Sequence, residues 1–143
     1  MRRSAFAAVA AVAVLAATPA HAVRFELGAG GGAWFTTTGL FDVTLGVRQH
    51  LAKHLALGFR TGVLLTTDGP AVGTPLDLSF RVVVHPVYFE VLGGPTFIFN
   101  QGSPLRGHVA FGFGGYLGPV TLGVEVGYLT PTAVVMLQLA YVF

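Results

Sequence analysis

Few side chains in this sequence could carry out chemistry, and their kinds narrow what that chemistry can be. Beyond residue 22 there are two serines, Ser79 and Ser103, and four histidines, His50, His54, His85 and His108, with no cysteine anywhere. A serine beside a histidine base and an orienting carboxylate would do acyl transfer, and a cluster of imidazoles would hold a metal or sense pH. Neither pattern assembles: Ser103 falls in a loop, Ser79 has no acid-base partner that the pattern brings beside it, and His54 and His85, expected to point inward at one rim with His50 in the adjacent turn, lack a third ligand and read as ordinary rim histidines. Glycines 28 and 30 to 32 open no helix, so they form no phosphate loop. The expectation is no catalytic residue, no metal and no cofactor. The other reactive groups are charges set in apolar segments: Arg24, Arg48, Arg60 and Arg81 against Glu26, Asp42, Asp77, Glu90 and Glu125. Buried charges persist only when paired, so the chemistry to expect is ion pairing.

The elements that must position these charges alternate with period two, separated by turn residues. Eight segments emerge: 23–35, 40–49, 54–64, 76–84, 87–99, 107–116, 120–128 and 133–143. Each is near the 9 to 11 residues that carry a tilted strand across a membrane, or slightly longer. One face of these segments takes every strand charge. The other takes all the phenylalanines beyond residue 22, together with rows such as Val43, Leu45 and Val47 or Leu137, Leu139 and Tyr141. A lipid-facing Arg or Lys at the midplane costs about 2 to 4 kcal/mol, so this sorting predicts an all-β fold, an eight-stranded antiparallel up-and-down transmembrane β-barrel with charges inside. A soluble sandwich or lipocalin-like barrel would alternate with the polarity reversed. Against it, the charged face also carries Gly28, Gly30, Gly32, Gly46, Gly58, Gly62, Gly94, Gly112, Gly114, Gly123 and Gly127. A solvated surface has no use for so many, whereas a crowded eight-strand lumen needs small residues beside its large ones.

The start of the chain reads as a secretory leader: basic Met1-Arg2-Arg3, an apolar run from Ala5 to Ala17, and Ala20-His21-Ala22 as the cleavage site. The domain expectation is therefore 1–22 signal peptide and 23–143 barrel. Without Arg2 and Arg3 the eight basic residues become six against six acidic, so no basic field argues for nucleic acid. Only 10% of the residues are charged and the mean hydropathy is +0.71, yet no later stretch approaches the length of a transmembrane helix. The lack of cysteine excludes disulfides, thiolate metal sites, a Cys nucleophile and an acylated N-terminal Cys.

With an N-terminus in the periplasm, the periplasmic links are 50–53, His85-Pro86 and 117–119. The outer links are 36–39, a long one over 65–75 with Asp68-Gly69-Pro70 at its tip, 100–106 and 129–132. A turn at His85-Pro86 puts Arg81 opposite Glu90, and the earlier hairpin can set Asp42 opposite or diagonal to Arg60. The expected lumen network is Glu26, Asp42, Arg48, Arg60, Asp77, Arg81, Glu90 and Glu125, with Arg24 also inside. Trp34 is expected inward at the outer rim and His108 inward near it. Phe25, Phe89, Tyr141 and Phe143 would form the periplasmic girdle, and Phe35, Phe41, Phe97, Phe99 and Tyr128 the outer one. Pro95 on the lipid face fits least and calls for a bulge or a shortened fifth strand.

The leader, the eight alternating strands, the absence of cysteine and the closing Tyr141-Val142-Phe143 together resemble the small OmpA/OmpX-type outer-membrane β-barrels of bacteria with two membranes. The likeness is architectural and covers the whole chain after residue 22. It implies an outer-membrane location reached through the periplasm, a monomer embedded in outer-membrane lipid, and Leu139, Tyr141 and Phe143 as the signal read by the barrel-assembly machinery. Some barrels of this size are lipid A deacylases; His108-Val109-Ala110 has their His-x-Ser spacing, but Ala110 stands where the serine belongs. The expected function is an integral outer-membrane protein with a structural or surface-interaction role through 65–75 and 100–106, its lumen plugged by charge. A narrow pore for ions or small solutes, or a lipid-modifying enzyme, are the alternatives.

Overall fold

An extended segment that places every second side chain on an apolar face has its register fixed by that face, because a one-residue slip would turn the whole row over. The computed structural model describes residues 23–35, 39–69, 71–100 and 102–143. The predicted leader over 1–22 lies outside the described residues, as do 36–38, Pro70 and Gln101. The chain forms β1 (Arg24–Trp34), β2 (Leu40–Ala52), β3 (Leu55–Thr66), β4 (Val72–Val84), β5 (Val87–Ile98), β6 (Leu105–Leu117), β7 (Val120–Leu129) and β8 (Thr132–Val142). Each strand pairs antiparallel with the next, and β1 pairs with β8 to close the barrel. Among the described residues no helix is long and apolar enough to cross a membrane, which has no bearing on crossing by strands. The end carrying the start of β1 and the end of β8 is called proximal below, the other distal.

The two faces sort as the alternation requires. Every phenylalanine of the described segments is exposed, from 37% at Phe97 to 68% at Phe35 and Phe143, and no charged side chain stands on the outward face of a strand. Burying a phenylalanine is worth about 1.5 to 3 kcal/mol. Leaving eleven of them half in water would therefore forfeit on the order of 10 kcal/mol, comparable to the whole net stability of a domain. The outer surface requires an apolar medium.

Five expectations need correction. The long distal loop over 65–75 is largely strand: β3 runs to Thr66 and β4 starts at Val72. Between them the Thr66 amide donates to Ala71 O at 3.1 Å and the Ala71 amide donates to Thr66 Oγ1 at 3.1 Å, with Gly69 at positive φ making the reversal. Val72-Gly73-Thr74-Pro75 looked like a loop because of its Gly and Pro, but the ladders accommodate Pro75 by lapsing beside it: β3 and β4 pair at Thr61 with Leu76 and again at Leu64 with Gly73. The second link is likewise shortened, since β6 begins at Leu105. Asp42 is not beside Arg60. β2 and β3 extend to a tight turn at Lys53-His54, with a one-residue register shift between His50 and Ala52, and this sets Asp42 against Leu64 and Arg60 against Gly46. Pro95 produces neither bulge nor truncation; pairing between β4 and β5 skips Leu76 and Asp77 and resumes in the same register at Leu78 with Gly93. Arg24 lies exposed at the proximal end of β1, outside the packed lumen.

Candidate functional site: two closed rings of charge in the lumen

Inward positions from four strands, β1, β2, β4 and β5, converge on a proximal ring of four side chains. Arg81 faces Glu90 directly across the β4–β5 pair, with Nη2 at 2.8 Å from Oε2. Arg48 Nη2 reaches Glu90 Oε1 at 2.7 Å and its Nη1 binds Glu26. Arg81 Nη1 closes the ring on Glu26 Oε1 at 3.2 Å. Each guanidinium thus bridges the same two carboxylates, and the ring is neutral. Tyr116 OH accepts from Arg81 Nη1 at 3.2 Å, and the Arg81 guanidinium lies 4.0 Å from the centre of the Tyr88 ring, a cation–π contact strengthened by exclusion of water.

A second ring stands distal to the first. Arg60 is opposite Asp77 in the β3–β4 register, with Nη2 at 3.0 Å from Oδ2. Across the lumen it grips Glu125 with a fork, at 2.8 Å through Nη1 and 3.3 Å through Nη2. His108 completes the circuit: Nδ1 is 2.9 Å from Asp77 Oδ1 and Nε2 is 3.4 Å from Glu125 Oε1. Asp42 stands apart from both rings and accepts from Gln138 Nε2 at 3.1 and 3.4 Å. Bidentate guanidinium contacts of this kind are the strong, geometry-setting ones.

Distal to the rings the lumen turns apolar. Trp34, Leu40, Leu64, Ala71, Ile98, Leu129, Val134 and Met136 form one buried cluster. Trp34 Nε1 donates to Leu129 O at 2.8 Å, which satisfies the one polar atom of the side chain, and Arg106 lies 5.0 Å over its ring. A cavity of about 50 Å³ separates the two rings, and one of about 10 Å³ separates the distal ring from the apolar cluster.

Two groups of crowded positions stand out among the inward glycines. At Gly28, Gly58 and Gly123 a Cβ would meet side-chain oxygens, those of Thr44, Ser79 and Tyr88, so these positions make room for inward side chains. At Gly32, Gly62, Gly94 and Gly127 it would run into the carbonyl oxygen of the adjacent strand. There the glycine permits close approach of backbones rather than space for a plug.

The eight predicted network residues all lie on inward positions, seven of them in the two rings and Asp42 beside Gln138. Sequence reasoning passed over His108 as a ring member and Tyr88, Tyr116 and Gln138 as partners. All four sit on the inward parity of their strands, which was the available signal. His54 and His85, expected inward, are exposed in the proximal turns; His54 Nδ1 is 3.0 Å from Val83 O and His85 stacks on Tyr116 at 6.1 Å. The β2–β3 and β4–β5 turns are so tight that both residues fall beyond the ladder. Ser79 is buried on the cavity wall and Ser103 donates to Leu105 O at 3.4 Å; neither is bonded to a histidine. Among the described residues no group of three or more His, Asp or Glu side chains is arranged to hold a metal ion. Leu139 and Tyr141 face outward on β8, and the Phe143 amide donates to Phe25 O at 2.9 Å.

No protein-family model matches the sequence, and no curated protein is similar to it. Solved structures are similar in fold. A de novo designed transmembrane β-barrel shares 16% identity over 88% of this chain and 98% of its own, with a TM-score of 0.61. The outer membrane protein Ail of Yersinia pestis shares 12% over 85% and 98%, with a TM-score of 0.59. The N-terminal β-barrel domain of OprF from Pseudomonas aeruginosa shares 16% over 84% and 97%, with a TM-score of 0.58. The chain has the fold of the small eight-stranded membrane β-barrels, as its alternation and closing strand indicated.

Proposed function

We propose that this protein is an integral outer-membrane β-barrel with a structural role in the envelope, reached by export through the periplasm, and that it is neither an enzyme nor an open pore. The observation that carries the reading is the inversion of polarity: phenylalanines exposed all round the outside and closed rings of Arg, Glu, Asp and His within. Oil outside and paired ions inside is what a bilayer-embedded strand barrel requires. The rings and the apolar cluster act as a plug, since eight strands leave an interior only wide enough for side chains. Short distal hairpins take weight from a surface-interaction role, because little chain projects to meet a partner. The deacylase alternative lacks its serine at Ala110, which is buried on the inward face. Outer-membrane lipid is then the main partner, with β8 and Leu139, Tyr141 and Phe143 presented to the assembly machinery of that membrane, and the barrel works as a monomer.

Two measurements test this. Cell fractionation should place the protein in the outer membrane, with gel migration that changes on boiling as the barrel melts. Planar bilayers holding the purified barrel should show no steady conductance. A protein that stays in solution without detergent removes the membrane reading, and a stable ohmic conductance removes the plug.

A further inference from the structure

The two ends of the barrel differ in charge. At the proximal end Arg24, Lys53, His54 and His85 are exposed and His50 is half-buried. The register gathers them on one arc: Arg24 pairs with Arg48 at the root of the strand that leads to His50 and Lys53, and His54 lies against Val83 O, beside the turn that holds His85. No Asp or Glu side chain of the described residues shares that rim. The closest, Glu26 and Glu90, point into the lumen and are held by Arg48 and Arg81. At the distal rim the charges are Asp68 and Arg106, one of each sign, with Asp42 buried beneath them beside Gln138. The apolar belt begins immediately beside the basic arc, at Phe25, Leu51, Val84 and Val87, all exposed. Lys53, two residues past Leu51, can lay its stem along the belt edge and hold its ammonium at headgroup level.

We propose that the proximal rim is a docking surface for anionic phospholipid headgroups. The inference rests on the reading of the barrel as membrane-embedded and adds which lipid its proximal leaflet contacts favour. A zwitterionic headgroup brings its own ammonium to the arc and gains little there, whereas an anionic phosphodiester meets cationic side chains with no Asp or Glu side chain among them. Each Lys or Arg near an anionic surface favours it by roughly fivefold, weakened by salt.

The test uses the full barrel in nanodiscs of equal phosphatidylcholine and phosphatidylglycerol, with native mass spectrometry counting the lipids that stay bound on release. The barrel should retain phosphatidylglycerol over phosphatidylcholine at about three to one, against one to one in the bulk. Arg24→Gln combined with Lys53→Gln should bring retention down to the bulk share, Arg106→Gln at the distal rim should leave it unchanged, and raised salt should erode the preference of the parent. Retention of phosphatidylglycerol at its bulk share by the parent, equal loss in the Arg106 variant, or indifference to salt overturns the proposal. Folding and insertion are read separately from gel migration before boiling. A parent that inserts without lipid preference overturns this inference alone, and one that does not insert overturns the membrane reading with it.

Discussion

Removing the carboxylate of Glu90 tests whether the rings hold the barrel together. Glu90 accepts from Arg81 at 2.8 Å and from Arg48 at 2.7 Å, and both guanidinium groups are buried. In Glu90→Gln the side chain keeps its size, but two arginines must share Glu26, which leaves one positive charge uncompensated in the lumen. Breaking a buried pair by removing one partner costs about 3 to 5 kcal/mol, a shift of roughly two to three and a half decades in the folding equilibrium. The chain has a single tryptophan, and Trp34 is 1% exposed in the distal cluster, so its fluorescence reports global unfolding far from the substituted site. Equilibrium urea unfolding in detergent or vesicles gives the free energy directly. The double variant Arg81→Met with Glu90→Leu separates charge from packing: a buried ion pair replaced by apolar side chains is often neutral or stabilising, so it should recover part of the loss. Stability of Glu90→Gln within about 0.5 kcal/mol of the parent would show that the ring carries no structural load, and a rise in conductance alongside would recast it as a gate.

Three further outcomes follow from the same geometry. Gly62→Ala should destabilise by about 1 to 3 kcal/mol or block folding, because its Cβ meets the Val43 carbonyl, while Gly112→Ala, whose nearest contact is at 3.8 Å, should stay within about 1 kcal/mol; urea midpoints compare the two. Trp34→Ala should cost about 3 to 5 kcal/mol by heat-modified gel migration, yet planar bilayers should stay silent because both charged rings still close the lumen. Leu78→Arg, at an outward position 63% exposed, should cost about 2 to 4 kcal/mol in a bilayer. If its unfolding free energy in vesicles equals that of the parent, the outward face does not contact lipid.

Much of the barrel was legible because a strand has only two faces. Once Arg48, Arg60, Arg81 and Glu90 are put on one side, Phe59, Phe80 and Phe89 must fall on the other, and the number of strands and the closed order follow from counting alternating runs between turns. Arg81 opposite Glu90 was legible for the same reason, since a tight turn at His85-Pro86 sets the pairing by arithmetic. Where the turn was misjudged the arithmetic failed: β2 runs on to Ala52 and the chain reverses at Lys53-His54, not over 50–53, so Arg60 faces Gly46 and lies well away from Asp42. Gly and Pro at 73 and 75 read as loop because local chemistry says so, and only the neighbouring strands, whose pairing lapses there at little cost, make them strand.

Alternation along the chain is a one-dimensional signal, and by itself it determined that charges lie on one side of each strand and aromatic residues on the other; the glycines among the charges then indicated which side faces inward. Which inward residues touch is decided by the shear of the closed sheet, a property of all eight registers together. Only the closed structure brings Arg60 across the lumen to Glu125 and sets His108 between two carboxylates, because partners up to 96 positions apart in sequence become neighbours when the last strand pairs with the first. The apolar cluster around Trp34 is likewise a product of closure. Its members come from strands and turns spread along the whole chain, and no single strand holds enough of them to announce a core.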